Sequence, residues 1–433
     1  MSQRTHRREL LKAGVAAGLS VLAGSSPAQE KEQAKIRPVR VGVIGTGGRG
    51  TYLLSVFLQA GVEVSALCDI HKGRLGAACD LVAKARSGRR PAEYTAGPRD
   101  YQRMLQRDDL EAVIIATPMQ IHAVMAIDVM RAGKHVLSEV AAAMTLDDCW
   151  GLVRTAEETG KIYMLSENCC YYDYVLMMAN ILKAGLFGEL TYAECGYVHN
   201  CSSLMFDAEG KLTWRGEMAR DFAGNLYPTH AIGPVAKWLG INRGDRMVSL
   251  VAGSTTQASI REYVRSRFPA DHPARQIAFR SADSTSVLIR TAKGRLIDLR
   301  YDISSPHPLV STTYYSLQGT KGSYESRTGS IWLDGRTPSD AWEPAARYAQ
   351  EFESPLWRAS RQQAKGAGHG GADFFTVRAF LDTVRQSGPP PVDCYDAASW
   401  SAIIPLSAKS LAEGGKPQDF PDFTGGKWAT RNG

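Results

Sequence analysis

The alternation of apolar and polar positions changes character along the chain. Residues 29–36 (Gln-Glu-Lys-Glu-Gln-Ala-Lys-Ile) are polar and read as a short linker. From Val39 a β-branched run, Val-Arg-Val-Gly-Val-Ile, ends in glycines, and residues 51–60 carry a helical period. Residues 63–68 read as a second strand closed by Asp69. Residues 112–116 (Ala-Val-Ile-Ile-Ala) are wholly apolar, the composition of a strand covered on both faces of a parallel sheet. Helices over 122–132 and 145–159 alternate with strands at 135–138 and 162–165. Strands and helices in that order predict a doubly wound parallel sheet over 37–166. Beyond Asn168 a helix is expected at 174–185, then alternating runs at 190–198, 247–253, 284–290, 295–302 and 311–318. These predict an α+β domain over 167–433, built on a large, mostly antiparallel sheet with helices on one face. Residues 333–372 read as irregular, and helices at 373–386 and 396–413 close the chain.

Length and composition support this reading: 433 residues, 44% hydrophobic and 22% charged, suit two or three globular domains. Of the formal +7 charge, the first 28 residues hold +3 (Arg4, Arg7, Arg8 and Lys12 against Glu9), leaving +4 for the rest. With no basic run interleaved with aromatics, nucleic acid is not the expected partner. The same 28 residues pair Arg7-Arg8 with a short apolar stretch, 13–24, and Ser-Pro-Ala at 26–28. That is the order of a twin-arginine (Tat) signal peptide, too short to span a bilayer as an anchor. The expected location is therefore periplasmic or extracellular, with no membrane attachment after cleavage. None of the eight cysteines makes a CxxC pair, so they are expected as buried small hydrophobes, and the scattered histidines show no metal-ligand spacing.

Gly45-Thr-Gly47-Gly48-Arg49-Gly50 fits G-x-G-x-x-G. It follows a strand, opens a helix, and has an acid, Asp69, at the end of the next strand, which is the context of a Rossmann dinucleotide site. The glycines admit the pyrophosphate, and the helix N-terminus offers unpaired N–H groups. Asp69 would accept from the ribose hydroxyls and repel a 2′-phosphate, so the expected cofactor is NAD. Thr117, His122, Glu139, Val140 and Asn168 fall at strand ends or helix starts on the rim where a nicotinamide would lie. Tyr227 and His230, three apart after a turn at Gly224, can share a helical face and each shuttle a proton. The alternative reading is a hydroxyl and an imidazole satisfied within a core.

These blocks resemble the Gfo/Idh/MocA superfamily, although Glu139-Val140-Ala141 stands where many members carry Glu-Lys-Pro. They are more similar still to glycoside hydrolase family 109, NAD-dependent enzymes typified by α-N-acetylgalactosaminidase. The matching segments include Gly47–Gly50, Glu-Asn-Cys-Cys-Tyr at 167–171, Gly-Tyr-Val-His at 196–199, Trp214-Arg215, Asn-Leu-Tyr-Pro-Thr-His at 225–230, Gln-Gly-Thr-Lys-Gly at 318–322 and His-Gly-Gly at 369–371. The resemblance implies cofactor contacts at Gly48, Arg49, Asp69, Met119, Gln120, Ile121, His122, Glu139, Val140 and Asn168, with Tyr227 beside them. It implies a carbohydrate substrate held by Tyr197, Arg215, Tyr227, Pro228, Thr229 and His230. The chain departs from the family at Met119 and Ile121, where tryptophans are common, and at Leu309, where a tyrosine is common.

The chemistry implied is glycoside cleavage by transient oxidation at C3, removal of the C2 proton, elimination, water addition and re-reduction. Tyr227, His230 or Tyr197 would be the base, and Arg215 would hold a substrate oxygen. The cofactor ends each cycle as it began, which suits an exported protein. Two other readings fit the same residues: an exported sugar oxidoreductase with a tightly bound dinucleotide, and a non-catalytic NAD-containing sugar-binding protein. A broad open sheet in the second domain also suits a homodimer.

Overall fold

The computed structural model describes residues 37–308, 312–338 and 340–431. The leader and linker expected over 1–36 lie outside these residues, as does Leu309. The N-terminal sheet has six strands: β1 (Arg40–Ile44), β2 (Glu63–Cys68), β3 (Ala92–Tyr94), β4 (Ala112–Ile115), β5 (His135–Ser138) and β6 (Tyr163–Leu165). They run in the order β3-β2-β1-β4-β5-β6, every pair parallel. The order reverses between β1 and β4, and a ligand crevice opens at such a switch, beyond the strands' carboxyl ends. All four residues of β4 are buried, which explains its unbroken apolar sequence.

Nine strands form the second sheet: β7 (Leu190–Val198), β8 (Met247–Ser254), β9 (Ser284–Thr291), β10 (Leu296–Asp302), β11 (Thr313–Gly319), β12 (Gly322–Glu325), β13 (Ser330–Leu333), β14 (Glu343–Pro344) and β15 (Gln418–Asp419). Their order is β14-β13-β12-β11-β7-β10-β9-β8-β15, and β7 with β10 is the parallel pair in an otherwise antiparallel array. In β9 the period of two is plain: Thr285, Val287, Ile289 and Thr291 face in, while Ser286, Leu288 and Arg290 face out. The helix Thr229–Leu239 lies against β7 and β11 on the inner face.

Two expectations need correction. Residues 333–372 are not wholly irregular, because Pro355–Ala364 is a helix with proline at its first position. Trp357 and Ala364 are its buried positions, too few for a readable stripe. The closing helix at 396–413 is two helices, Cys394–Ser401 and Ile403–Ala412. Pro405 has no N–H to give the Ser401 carbonyl four residues back, and the helix is interrupted at Ala402. All eight cysteines are buried and unpaired. Among the described residues no helix is long and apolar enough to cross a membrane.

Candidate active site

The cofactor cradle lies where β1 hands over to the helix Gly48–Gln59. Gly45 sits at φ 89°, and an added Cβ would come within 2.6 Å of the Ala116 carbonyl oxygen; one at Gly50 would strike the Gly45 oxygen at 1.9 Å. Those two glycines let the turn pack against the sheet. Gly47 and Gly48 are different, since a Cβ on either meets nothing within 4 Å. Gly47 caps the helix without a side-chain bond, leaving its first N–H groups to serve an anion. Asp69 is oriented from beside the cradle: Oδ2 accepts from the Thr46 amide at 2.7 Å and Oδ1 from the His71 amide at 2.8 Å. Open glycines, unpaired helix amides and a fixed carboxylate together fit a dinucleotide.

Arg49 takes a task that its place in the motif did not suggest. Its Nε donates to Glu139 Oε1 at 2.7 Å, and its two terminal nitrogens grip Asp373 at 2.8 and 2.7 Å. Asp373 is fully buried, and it also accepts from Asn168 Nδ2 at 2.9 Å and pairs with His369 Nδ1 at 2.9 Å. Burial opposes ionisation of Asp373, but Arg49 and His369 overcome it and hold the carboxyl far below the usual range. One carboxylate thus ties the glycine-motif helix, the Asn168 turn and the segment before the helix Ala372–Gln386. His369, Gly370 and Gly371 all have positive φ (52°, 64° and 101°), so this segment is a left-handed strap. The Tyr52 hydroxyl accepts from the Gly368 amide, and a Cβ at Gly368 would meet Asp373 at 2.5 Å. Only glycine allows that approach.

Across the crevice, His230 Nδ1 pairs with Glu167 Oε1 at 2.7 Å. Burial disfavours charge on both, yet each holds the other ionised, raising the imidazole well above its usual value and lowering the carboxyl. His230 lies in the helix Thr229–Leu239, which contains Pro234. A proline there has no N–H for the His230 carbonyl, and the Tyr315 hydroxyl donates to it instead at 2.7 Å. Tyr227 lies just before that helix rather than on its first turn, but its ring still meets His230 at 5.1 Å between centroids. The Tyr197 ring contacts both in tilted fashion, at 5.3 Å from Tyr227 and 5.4 Å from His230 between centroids, and its hydroxyl bonds His199 Nδ1 at 2.6 Å. The Arg215 guanidinium lies over Trp214 and Tyr227. Tyrosine hydroxyls and the Cys201 thiol surround it, and among the described residues it forms no ion pair with a carboxylate. Tyr197, Arg215 and Tyr227 line one cavity with Cys201 and Tyr301.

The other expected residues are placed as follows. His122 is buried, with Nε2 at 2.8 Å from the Thr117 oxygen and Nδ1 at 2.8 Å from the Ala141 oxygen, so it braces two rim loops. Met119 is buried, Ile121 is exposed, and Gln120 Nε2 reaches the Trp214 oxygen at 3.4 Å, joining the two domains. Val140 is buried beside Glu139, and the Val140–Ala141 bond is cis. Pro228 caps the His230 helix, and Thr229 is its first residue, fully buried. The pairing partners Glu167, Asp373 and Tyr315 were not among the expected site residues, and neither was His369. The signals available were the His-Gly-Gly block and Asp373 one helical turn beyond it.

A parallel sheet with a glycine cradle at its switch point, joined to a sheet-backed aromatic crevice, defines a dinucleotide-dependent enzyme of Gfo/Idh/MocA build. Residues 39–167 match the model of the oxidoreductase family with NAD-binding Rossmann fold, and residues 171–430 match the glycosyl hydrolase 109 C-terminal domain. The chain is 41% identical to a glycosyl hydrolase family 109 protein of Solibacter usitatus over 99% of both chains. It is 34% identical to the α-N-acetylgalactosaminidase of Tannerella forsythia, over 99% of this chain and 98% of that one. Levoglucosan dehydrogenase in complex with NADH shares the fold, with a TM-score of 0.68 at 18% identity over 89% of this chain and all of the other. The chain belongs to glycosyl hydrolase family 109, and is a glycosidase that uses NAD.

Proposed function

We propose that this enzyme hydrolyses N-acetylgalactosaminides by oxidation at C3, elimination across C1–C2, water addition and re-reduction. The observation that carries the reading is the Tyr227–His230 contact backed by buried Glu167 and set across the crevice from the cradle clamp. The Gly47–Gly48 amides, Asp69 and Asn168 would hold NAD, which supplies a hydride acceptor for C3 and returns the hydride at the end. His230, whose imidazolium form Glu167 stabilises, would take the C3 hydroxyl proton as the hydride leaves and then, as imidazolium, donate to the C3 oxygen, favouring the enolate that makes the C2 proton removable. Tyr227 is the base for that proton. Burial raises its pKa, but His230 and Arg215 both act to lower it, whereas for Tyr197 only Arg215 does so. His369, on its strap 6.4 Å from His230 between ring centroids, gives a proton to the departing oxygen and takes one from the entering water. Such a route needs no carboxylate pair at the glycosidic bond.

A cofactor restored in every cycle also suits the export that Arg7 and Arg8 suggest. The test is turnover of aryl N-acetylgalactosaminides, galactosides and glucosides of both anomers, by purified protein without added NAD, in deuterated water. Aglycone release with deuterium at C2 is expected from an N-acetylgalactosaminide. Release without deuterium would sink the C2 step. Reduction of bound NAD with no aglycone release would make the protein a sugar oxidoreductase.

A further inference from the structure

Cys169 shares the buried knot that holds the Glu167–His230 pair. Its sulfur, a Glu167 carboxylate oxygen and a His230 ring nitrogen lie within 4.8 Å of one another. The sulfur stands 3.6 Å from both Asn168 Oδ1 and the Tyr172 hydroxyl, within reach of the weak hydrogen bonds a thiol makes. Glu167 Oε2 makes no well-formed hydrogen bond among the described residues, and the buried Thr229 hydroxyl, next to His230, is the weak donor that faces this carboxylate. A buried carboxylate oxygen served only by one loose hydroxyl keeps acceptor capacity for a cation.

Thiolate, imidazole and carboxylate are the donors that zinc prefers. Ligands about 2.0–2.3 Å from a tetrahedral ion stand roughly 3.3–3.8 Å apart, so a separation at the 4.8 Å limit of the knot closes by roughly 1–1.5 Å while the 2.7 Å Glu167–His230 hydrogen bond opens to admit the ion. The charges balance as well, because a thiolate and a carboxylate neutralise a divalent ion beside a neutral imidazole. His230 is the least buried of the three, with a side chain 11% exposed, and so gives the ion its way in.

We infer that Glu167, Cys169 and His230 form a site for a divalent ion of the zinc class, and that its occupation switches the enzyme off. Binding would displace the thiol and imidazolium protons to solvent and lock His230 out of proton transfer. The inhibition rests on the role proposed above for His230, whereas the metal site itself does not.

The test takes the NAD-loaded protein, stripped with a chelator, and adds zinc, cadmium or cobalt salts. Zinc at one ion per chain, a sulfur-to-cadmium charge-transfer band, and loss of aryl-glycoside turnover restored by chelator are expected. Cys169→Ser should lose the band and raise the half-inhibiting zinc concentration, relative to its own activity, by more than about tenfold, since even outer partners of a metal ligand act on that scale. Cys170→Ser, the buried neighbour outside the knot, should keep both properties. Should Cys169→Ser fail to fold, the cobalt spectrum of the unaltered protein reports the same mixed sulfur–nitrogen–oxygen ligands. No sulfur band in the unaltered protein, or equal zinc inhibition in Cys169→Ser, overturns the site. A band with full turnover overturns the switch, and C2 deuteration then judges the role of His230 separately.

Discussion

Two imidazoles in this site each lean on a buried carboxylate, and they are mounted in opposite ways. His230 projects from a helix packed on the second sheet, and even its carbonyl is pinned by Tyr315. His369 rides on a strap of left-handed residues with its side chain 41% exposed, and its carboxylate partner also carries Arg49 and Asn168. The inner pair is therefore rigid and dry, suited to holding one charge state against a fixed substrate atom. The outer pair is tethered to the cofactor cradle through Arg49, so its position depends on how the two domains sit together. The same chemical unit serves pre-organisation in one place and coupling in the other.

The sharpest break comes from removing one imidazole at a time. His230→Gln should lower kcat by about 10²–10⁴, the range for a general acid or base, with the fold intact. If kcat is unchanged while KM rises, the inner pair only positions substrate. Asp373→Asn attacks the outer pair at its root. Removing one partner of a buried ion pair costs about 3–5 kcal/mol, and a urea unfolding curve should show a loss on that scale, together with faster loss of bound NAD on dialysis. The pH dependence follows from the depressed carboxyl of Asp373. Its stabilisation is complete above the unfolded value near about 4 and fades as pH falls below it. The stability gap between wild type and Asp373→Asn should be widest above about pH 4 and close in acid; a gap independent of pH would mean that the carboxylate's charge is not what stabilises.

The inner pair was half legible in the sequence and the outer pair hardly at all. Tyr227 and His230 stand in one short block, three residues apart, and the structure brings their rings together. Glu167 was visible only as the neighbour of Asn168, because its partner is 63 residues away. The resemblance implied Arg49 as a cofactor contact, and its guanidinium also crosses to a carboxylate 324 residues on. Local period and motif spacing reported ten of the fifteen described strands, the cradle and about half of the helices, since those depend on near neighbours. Pairings between domains leave little such trace: apart from the His-Gly-Gly block just before it, Asp373 reads as an ordinary acid in a helix's first turn.

Arg215 sharpens the comparison from the substrate side. Among the described residues it makes no ion pair, so its charge is available to a substrate oxygen and to a tyrosinate at Tyr227. Arg215→Met should lower kcat/KM by about 1.5–3 kcal/mol, the worth of a hydrogen bond to a charged group. If the base is Tyr227, the alkaline-to-neutral limb of the kcat profile should also move upward in pH, because a cation that favours the phenolate has gone. A loss confined to KM, with the profile unmoved, would assign Arg215 to the sugar alone.

The smallest change tests whether rigidity of the inner pair matters at all. Tyr315→Phe keeps the ring, which packs at 5.8 Å from Trp238, and deletes the hydroxyl that replaces the N–H missing at Pro234. A neutral hydrogen bond contributes about 0.5–1.5 kcal/mol, so the melting temperature should drop slightly. The kinetic result decides more. If the helix and β7 alone hold His230, kcat stays within about twofold, well inside the spread of one such bond. If the carbonyl pin sets the imidazole's aim, kcat falls while KM and NAD retention hold. Combining Tyr315→Phe with Asp373→Asn then asks whether the two mounts are independent: residues in separate networks should add within about 0.5 kcal/mol, and a larger departure would mean that the strap and the sheet position the same reacting atoms.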